Sequence, residues 1–185
     1  MTGSQIAPGL LLAMPQLGDP NFFRAVVLMV EHGDSGSFGL IVNRQTDISV
    51  ATVLEALGIP WNGDRDAVVW EGGPVMPQSG WVVHEPTDGI DPTDSVAIGD
   101  GIVLSTSNEQ LHDLAARPPG ALRFVMGYSG WGAGQLESEL AEGVWLTADA
   151  TRELIFDTAP ERMWEATIRS LGIDPTTLVP GTGVH

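Results

Sequence analysis

An α+β fold, its sheet strands largely covered by about four short helices, is what this 185-residue sequence predicts. Three observations carry the expectation. Short runs rich in apolar and β-branched residues, about seven or eight of them, are separated by Gly, Pro and Asp turn signals. A smaller set of segments carries the 3.6-residue apolar period of amphipathic helices, in irregular alternation with the strands. The hairpin-like spacing of the strands argues against a purely parallel doubly wound sheet and leaves a mixed one open. No internal repeat or long linker divides the chain, so one domain is expected over residues 1–175, with 176–185 as a tail that lacks a core pattern.

Taken in order, "LLLAM" (Leu10 to Met14) and "FRAVVLMV" (Phe23 to Val30) read as strands, and the polar turn "EHGDSGS" leads into "FGLIVNR" as an antiparallel partner. Val50, Val53, Leu54 and Leu57 then fall at i, i+3, i+4 and i+7, with Ser49 as N-cap and Gly58 as a stop. "AVVW" and "GWVVH" are strands on either side of the loop "EGGPVMPQS", and "SVAIGDGIVLS" gives two more meeting at Gly-Asp-Gly. Ser107, with Gln110 three residues on, opens a helix that Pro118 and Pro119 close. "ALRFVMGY" is a strand that runs into glycine-rich "GYSGWGAGQLESEL", where Gln135 to Glu142 reads as a helix ending at Gly143. "VWLTA" is the last strand. Thr158 and Glu161 suggest a capping box for a final helix with Trp164, Ile168 and Leu171 on its apolar face.

Composition excludes several function classes. The chain has no cysteine, which removes disulfides, thiolate catalysis and cysteine metal sites, and no lysine, which removes Schiff-base chemistry and a P-loop lysine. Its eight basic residues are all arginines, scattered against 24 acids for a net charge of −16, a poor match to a phosphate backbone. Direct nucleic-acid binding is therefore not expected. No apolar run approaches the roughly 18 to 20 residues of a membrane span, and the N-terminus lacks a secretory pattern, so the reading is a soluble, cytoplasmic protein.

The motifs that invite a chemical reading are weak ones. "GYSGWG" resembles a nucleophile elbow, but Trp131 stands where the second glycine around Ser129 is needed. A dinucleotide fingerprint fails too, because residue 135 is Gln. The glycines either present amides to an anion at a helix start or let Tyr128 and Trp131 pack at a tight corner; the second reading is preferred. Glu71, beside Gly72, Gly73 and Pro74, is either a carboxylate on a stiff loop or part of a plain turn. Strand ends carry Glu31 and His32, Asn43 and Arg44, and His84 and Glu85, which could form one polar cluster if they converge. Arg44 can hold a carboxylate or phosphate, although pairing with one of many acids is the simpler expectation. The histidines match no metal spacing, and neither metal nor cofactor is expected. Glu137 and Glu139, two apart on a helix, point to different faces and read as solvated. Trp145 and Trp164 fit core patterns, which leaves Trp61, Trp81 and Trp131 for a binding surface.

In series, "GLLLAMPQLGDPNFFRAVVLMVEH", "GSFGLIVNR", "EGGPV", "GWVVHEP", "LSTSNEQL", "GYSGWGAGQLESEL" and "VWLTA" resemble the YqgE/AlgH family of bacterial proteins, over about Gly9 to Gly172. The resemblance implies a compact single-domain α+β fold with a mixed, partly barrel-like sheet. No general biochemical activity is established for the family, and one branch is described as a regulator of alginate production. Gln45 departs from the usual proline and Ser129 from the frequent alanine, so the serine is not a family-wide nucleophile. Matching positions make Asn43, Arg44, Gly72, Gly73, Pro74, Tyr128, Trp131, Gln135 and Glu137 the candidate surface, with Glu71 and His84 added from the residue reading. The expected function is regulation or interaction through a protein or small-molecule partner. The competing expectation is an enzyme or ligand-binding protein with a polar cleft near Asn43–Arg44 and the two glycine loops.

Overall fold

Leu10, Leu11, Leu12 and Ala13 are all buried, as are Val26, Val27, Leu28 and Met29. Neighbouring strand residues point to opposite faces, so runs like these require a layer on each side of the sheet. The computed structural model, which describes residues 6–88 and 95–178, supplies both layers. Ten strands form one mixed sheet: β1 (Gly9–Ala13), β2 (Val26–Gly33), β3 (Gly36–Ile41), β4 (Gln45–Ser49), β5 (Val68–Glu71), β6 (Val75–His84), β7 (Ser95–Gly99), β8 (Ile102–Ser105), β9 (Leu122–Gly132) and β10 (Trp145–Ala148). Five helices accompany them: α1 (Val50–Ala56), α2 (Asn108–Ala116), α3 (Gln135–Ala141), α4 (Arg152–Phe156) and α5 (Pro160–Ser170).

The strand order is β10-β1-β2-β3-β9-β6-β8-β7, curled into a half-barrel. All pairings are antiparallel except that of β5, which runs parallel to β9 and antiparallel to β4. Helices α4 and α5 lay Ile155, Phe156, Met163, Trp164 and Ile168 on one face, against Leu10, Leu12, Val26, Leu28 and Leu40. On the other face α3 packs Leu136 against Leu11, Val27, Met29 and Ile41, while α1 and α2 cover Val69, Val82 and Phe124 farther along. Each fully buried leucine here contributes about 2 kcal/mol of transfer free energy.

The two serine caps are present: Ser49 Oγ accepts from Thr52 N at 3.3 Å and Ser107 Oγ from Gln110 N at 3.1 Å. Several elements differ from expectation. The strand read from Phe23 starts at Val26, because Phe22 lies in a 3-10 turn and Phe23 and Arg24 are exposed. Strand β6 reaches back to Val75 through what reads as a Gly/Pro loop, and β4, "QTDIS", has no apolar run to reveal it. Helix α4 is too short for periodicity to register and starts at a Thr151 cap. The capping box at Thr158 does not form: α5 starts from Ala159 with Pro160 at its first turn, and Thr158 Oγ1 donates to Glu153 O at 2.9 Å. Pro175–Leu178 forms a 3-10 turn whose Leu178 packs on the core; the remainder of the expected tail, residues 179–185, lies outside the described residues.

Strand β9 is the spine of the sheet. Its Ser129–Gly132 end pairs with β3, its Leu122–Tyr128 length pairs with β6, and Val125 and Met126 pair with β5. Between Val75↔Tyr128 and Gly80↔Met126, residues 76–79 of β6 stand against Gly127 alone. Such an excess on one strand bends it away from its partner. Gly127 meets the bend with φ +80°, and a Cβ there would overlap the Gly73 carbonyl oxygen. Gly73 is equally constrained, at φ +152° and against the Tyr128 carbonyl. Positive φ and backbone contact together leave room for no other residue at either position. Gly127→Ala is expected to lower unfolding free energy by on the order of 3 kcal/mol. Urea denaturation followed by tryptophan fluorescence measures it, and a loss below about 1 kcal/mol contradicts the packing described.

Candidate functional site

Asn43 and Arg44 follow β3 and are engaged with the segment that precedes β2. Asn43 Oδ1 accepts from Val26 N and its Nδ2 donates to Arg24 O, both at 3.0 Å. Arg44 Nη2 donates to Phe23 O at 3.2 Å, and its carbonyl accepts from Glu71 N at 2.9 Å. Burial lowers the Arg44 pKa, while the charges of Glu71 and Asp19 oppose that shift. These contacts fasten the strand end to its neighbours.

The two glycine loops meet, as backbone rather than as a cleft. Gly72 N donates to Met126 O, and Gly72 O accepts from Ile41 N and, at 3.1 Å, from the hydroxyl of Ser129. Ser129 is fully buried, so its hydroxyl is a structural donor. Pro74 follows on the exposed side of this contact.

His84 lies elsewhere, buried on the β6–β8 ladder. Its Nδ1 is 2.7 Å from the Glu85 carbonyl, which can only accept, so Nδ1 carries the proton and Nε2 accepts from Ser105 Oγ at 2.8 Å. The pair has the geometry of a serine base, yet both side chains are buried. His32 is separate, with Nδ1 at 2.5 Å from Ser37 Oγ and Nε2 at 3.3 Å from Glu137 Oε2. The strand-end polar groups thus fall into separate local sets. Among the described residues, no group of three His, Asp or Glu side chains is arranged to hold a metal ion.

Helix α3 corrects the reading of Glu139 as a solvated carboxylate. Its Oε1 accepts from the indole N–H groups of Trp131 at 3.0 Å and Trp145 at 2.8 Å, and its Oε2 accepts from Gln135 Nε2 at 3.0 Å. Gln135 Oε1 in turn accepts from Gly132 N, which fixes the turn into the helix. Trp131 is accordingly a core residue, stacked near Phe22 and edge-on to Trp145. Trp61 is also buried, its indole donating to Asp64 O.

Trp81 is the tryptophan that remains at a surface. Phe38 and Trp81 lie two residues before Leu40 and Val83 on their strands, and Tyr128 follows the register irregularity at Gly127; Trp81 and Tyr128 pack against the cluster that α4 and α5 cover, so the three rings continue that face. Their ring centroids lie 5.5 to 6.1 Å apart, with Tyr128 nearly perpendicular to both others. They line a groove of about 690 Å³ between β3, β9 and the bent part of β6, with Glu31 and exposed Met76 also lining it. The Trp81 indole N–H is buried, with no hydrogen-bond partner among the described residues. Tyr128 is the candidate residue placed at its centre; Phe38 was missed because a strand phenylalanine reads as core until the covering helices are known to stop short of it.

A helix-bearing, curled mixed sheet with one uncovered aromatic stretch is the class of protein this fold defines. An AlgH-like family model matches residues 10–176, and the chain belongs to that family. A UPF0301 protein of Myxococcus xanthus is 45% identical over 182 residues, covering 97% of this chain and 98% of the relative. A second, from Ruegeria pomeroyi, is 41% identical over 94% of this chain and 96% of its own. Among solved structures, the AlgH protein of Pseudomonas aeruginosa superposes with a TM-score of 0.76 at 33% identity, covering all of both chains. Protein DIP2367 of Corynebacterium diphtheriae shares the fold, with a TM-score of 0.74 at 23% identity over 92% of this chain and 90% of that one. No helix among the described residues is long and apolar enough to cross a membrane.

Two expectations follow from the buried polar groups. Burial holds the His84 imidazole below its ordinary 6.5. As pH falls the unfolded chain takes up that proton first, so stability is lost from about pH 6.5 downward, by up to about 1.4 kcal/mol per pH unit until the folded group titrates. In thermal or urea unfolding between pH 7 and 5, His84→Gln is expected to show a shallower decline than wild type; equal slopes contradict the assignment. Glu139→Ala leaves two indole donors without their acceptor and is expected to cost about 2–4 kcal/mol, with Glu139→Gln recovering part of it. Urea midpoints of the two variants decide this.

Proposed function

We propose that this protein acts as a non-enzymatic interaction or regulatory protein, and that the groove lined by Phe38, Trp81 and Tyr128 receives a segment of a protein partner. One observation carries the reading: the sheet face covered by α4 and α5 continues uncovered as these three aromatic rings. Aromatic residues at a partly exposed site give large contact area at low entropic cost, which suits protein recognition. The polar groups that an enzyme would need weigh against the competing reading. Asn43, Arg44, Ser129, Gln135 and His84 are engaged in bonds that hold strands and turns together.

Site-specific photo-cross-linking tests the proposal in living cells. Benzoylphenylalanine in place of Met76, on the groove, is expected to trap a discrete protein adduct, whereas the same group in place of exposed Leu171, at the end of α5, does not. Adducts of equal yield at both positions, or at neither, overturn the reading. A thermal-shift screen of nucleotides, metals and metabolites on wild type and Arg44→Ala addresses the alternative: a hit lost in the variant favours a ligand-binding cleft at that strand end.

A further inference from the structure

We infer that the groove recognises arginine: its occupant is an extended, arginine-bearing segment of the partner protein. The inference rests on the proposal that this groove is the interaction site and adds the chemistry of what enters it. Three aromatic rings meet at centroid separations of 5.5 to 6.1 Å, at interplanar angles of 79° and 83° about Tyr128, and all three line the groove. The negative face of an aromatic ring attracts a cation, and the planar, weakly hydrated guanidinium stacks on it better than an ammonium does.

Charge points the same way. The lining includes the exposed carboxylate of Glu31 and no basic residue, in a chain whose net charge is −16. An anionic segment would meet that field with nothing to neutralise it, whereas a cationic one finds π faces below it and a carboxylate at the side. Other aromatic surfaces of this chain already have their cation: Arg123 lies 4.9 Å from the Trp70 ring and 5.5 Å from Phe156, and Arg24 lies 4.9 Å from Trp164. The arginine–ring contacts among the described residues are those of Arg24, Arg123 and Arg152 with Phe23, Trp164, Trp70 and Phe156, rather than with Phe38, Trp81 or Tyr128. The fold therefore uses arginine on its aromatic surfaces repeatedly and leaves this one to be met from outside.

An extended chain fits better than a compact metabolite. The groove opens to solvent along its side, where small-molecule pockets bury most of their ligand. Its β6 wall is the stretch 76–79, which has no register partner in β9. A strand wall of that kind suits a peptide lying alongside, with arginine side chains turned onto the rings.

The test uses the full chain and two synthetic probes, acetyl-Ala-Arg-Ala-Arg-Ala-amide and its citrulline twin, which keeps the shape and removes the charge. Calorimetry gives affinities, and the Trp81 indole N–H resonance reports the location. The arginine peptide is expected to shift that resonance, and the citrulline twin to bind about tenfold more weakly or less. Glu31→Gln is expected to weaken the arginine peptide about threefold or more, with Glu109→Gln, at an exposed position of α2, within twofold of wild type. Glu31 is exposed, so its variant tests recognition without threatening the fold. Equal affinity for the two peptides, no shift at Trp81, or equal losses from Glu31→Gln and Glu109→Gln overturns the arginine assignment. If that happens while the adduct at position 76 persists, the groove remains a partner site of different chemistry; loss of the adduct removes both.

Discussion

The contact on which the rest of the structure depends is backbone against backbone, where Gly72 and Gly73 lie on residues 127–129 of β9. Strand β9 pairs with β3, β5 and β6, so both halves of the sheet hang from it. The glycine contact sets where β6 leaves the ladder, and that departure forms one wall of the groove. Side chains at these positions would push the strands apart, which no gain in burial elsewhere offsets. Gly72, Gly73 and Gly127 are glycines because two main chains must touch.

A second theme is the use of polar side chains. In a chain with 24 acids and 8 arginines, acids are available in excess, and the structure uses them as acceptors for awkward donors. Glu139 receives two indole N–H groups and a glutamine amide; Glu85 receives Ala121 N and the Arg152 guanidinium, and these bonds hold its pKa below the ordinary carboxylate range. Arg123 runs the other way, bonded to the Leu122 and Phe156 carbonyls between two rings, with burial lowering its pKa. Little polar chemistry is left over at the strand ends.

Much of the fold was legible in the sequence because its signals are local. Ser49 and Ser107 cap helices through bonds spanning three residues, and the apolar stripe of α5 repeats within one helix. What escaped depends on distant partners. Nothing in "QTDIS" announces a strand until β5 lies beside it, and Glu139 looks solvated until Trp131 and Trp145 arrive from β9 and β10. The site divides in the same way: Tyr128 and Trp81 drew notice as residue types, but the uncovered face they share with Phe38 exists only once α4 and α5 are placed. Asn43, Arg44 and His84 were visible as polar strand ends, whereas their bonding partners were not.

The pairing of β1 with β10 joins residues far apart in the sequence, Leu10 to Ala148 in register, and Trp164 of α5 donates to the carbonyl of Ala13. Closing so long a loop must precede the contacts that reward it, so folding should be slow for a chain of this size. On the ribosome, β1 and β2 emerge well before either of their covering layers has been made. The unbroken apolar runs that the finished protein buries on both sides are, during synthesis, the segments most in need of a chaperone.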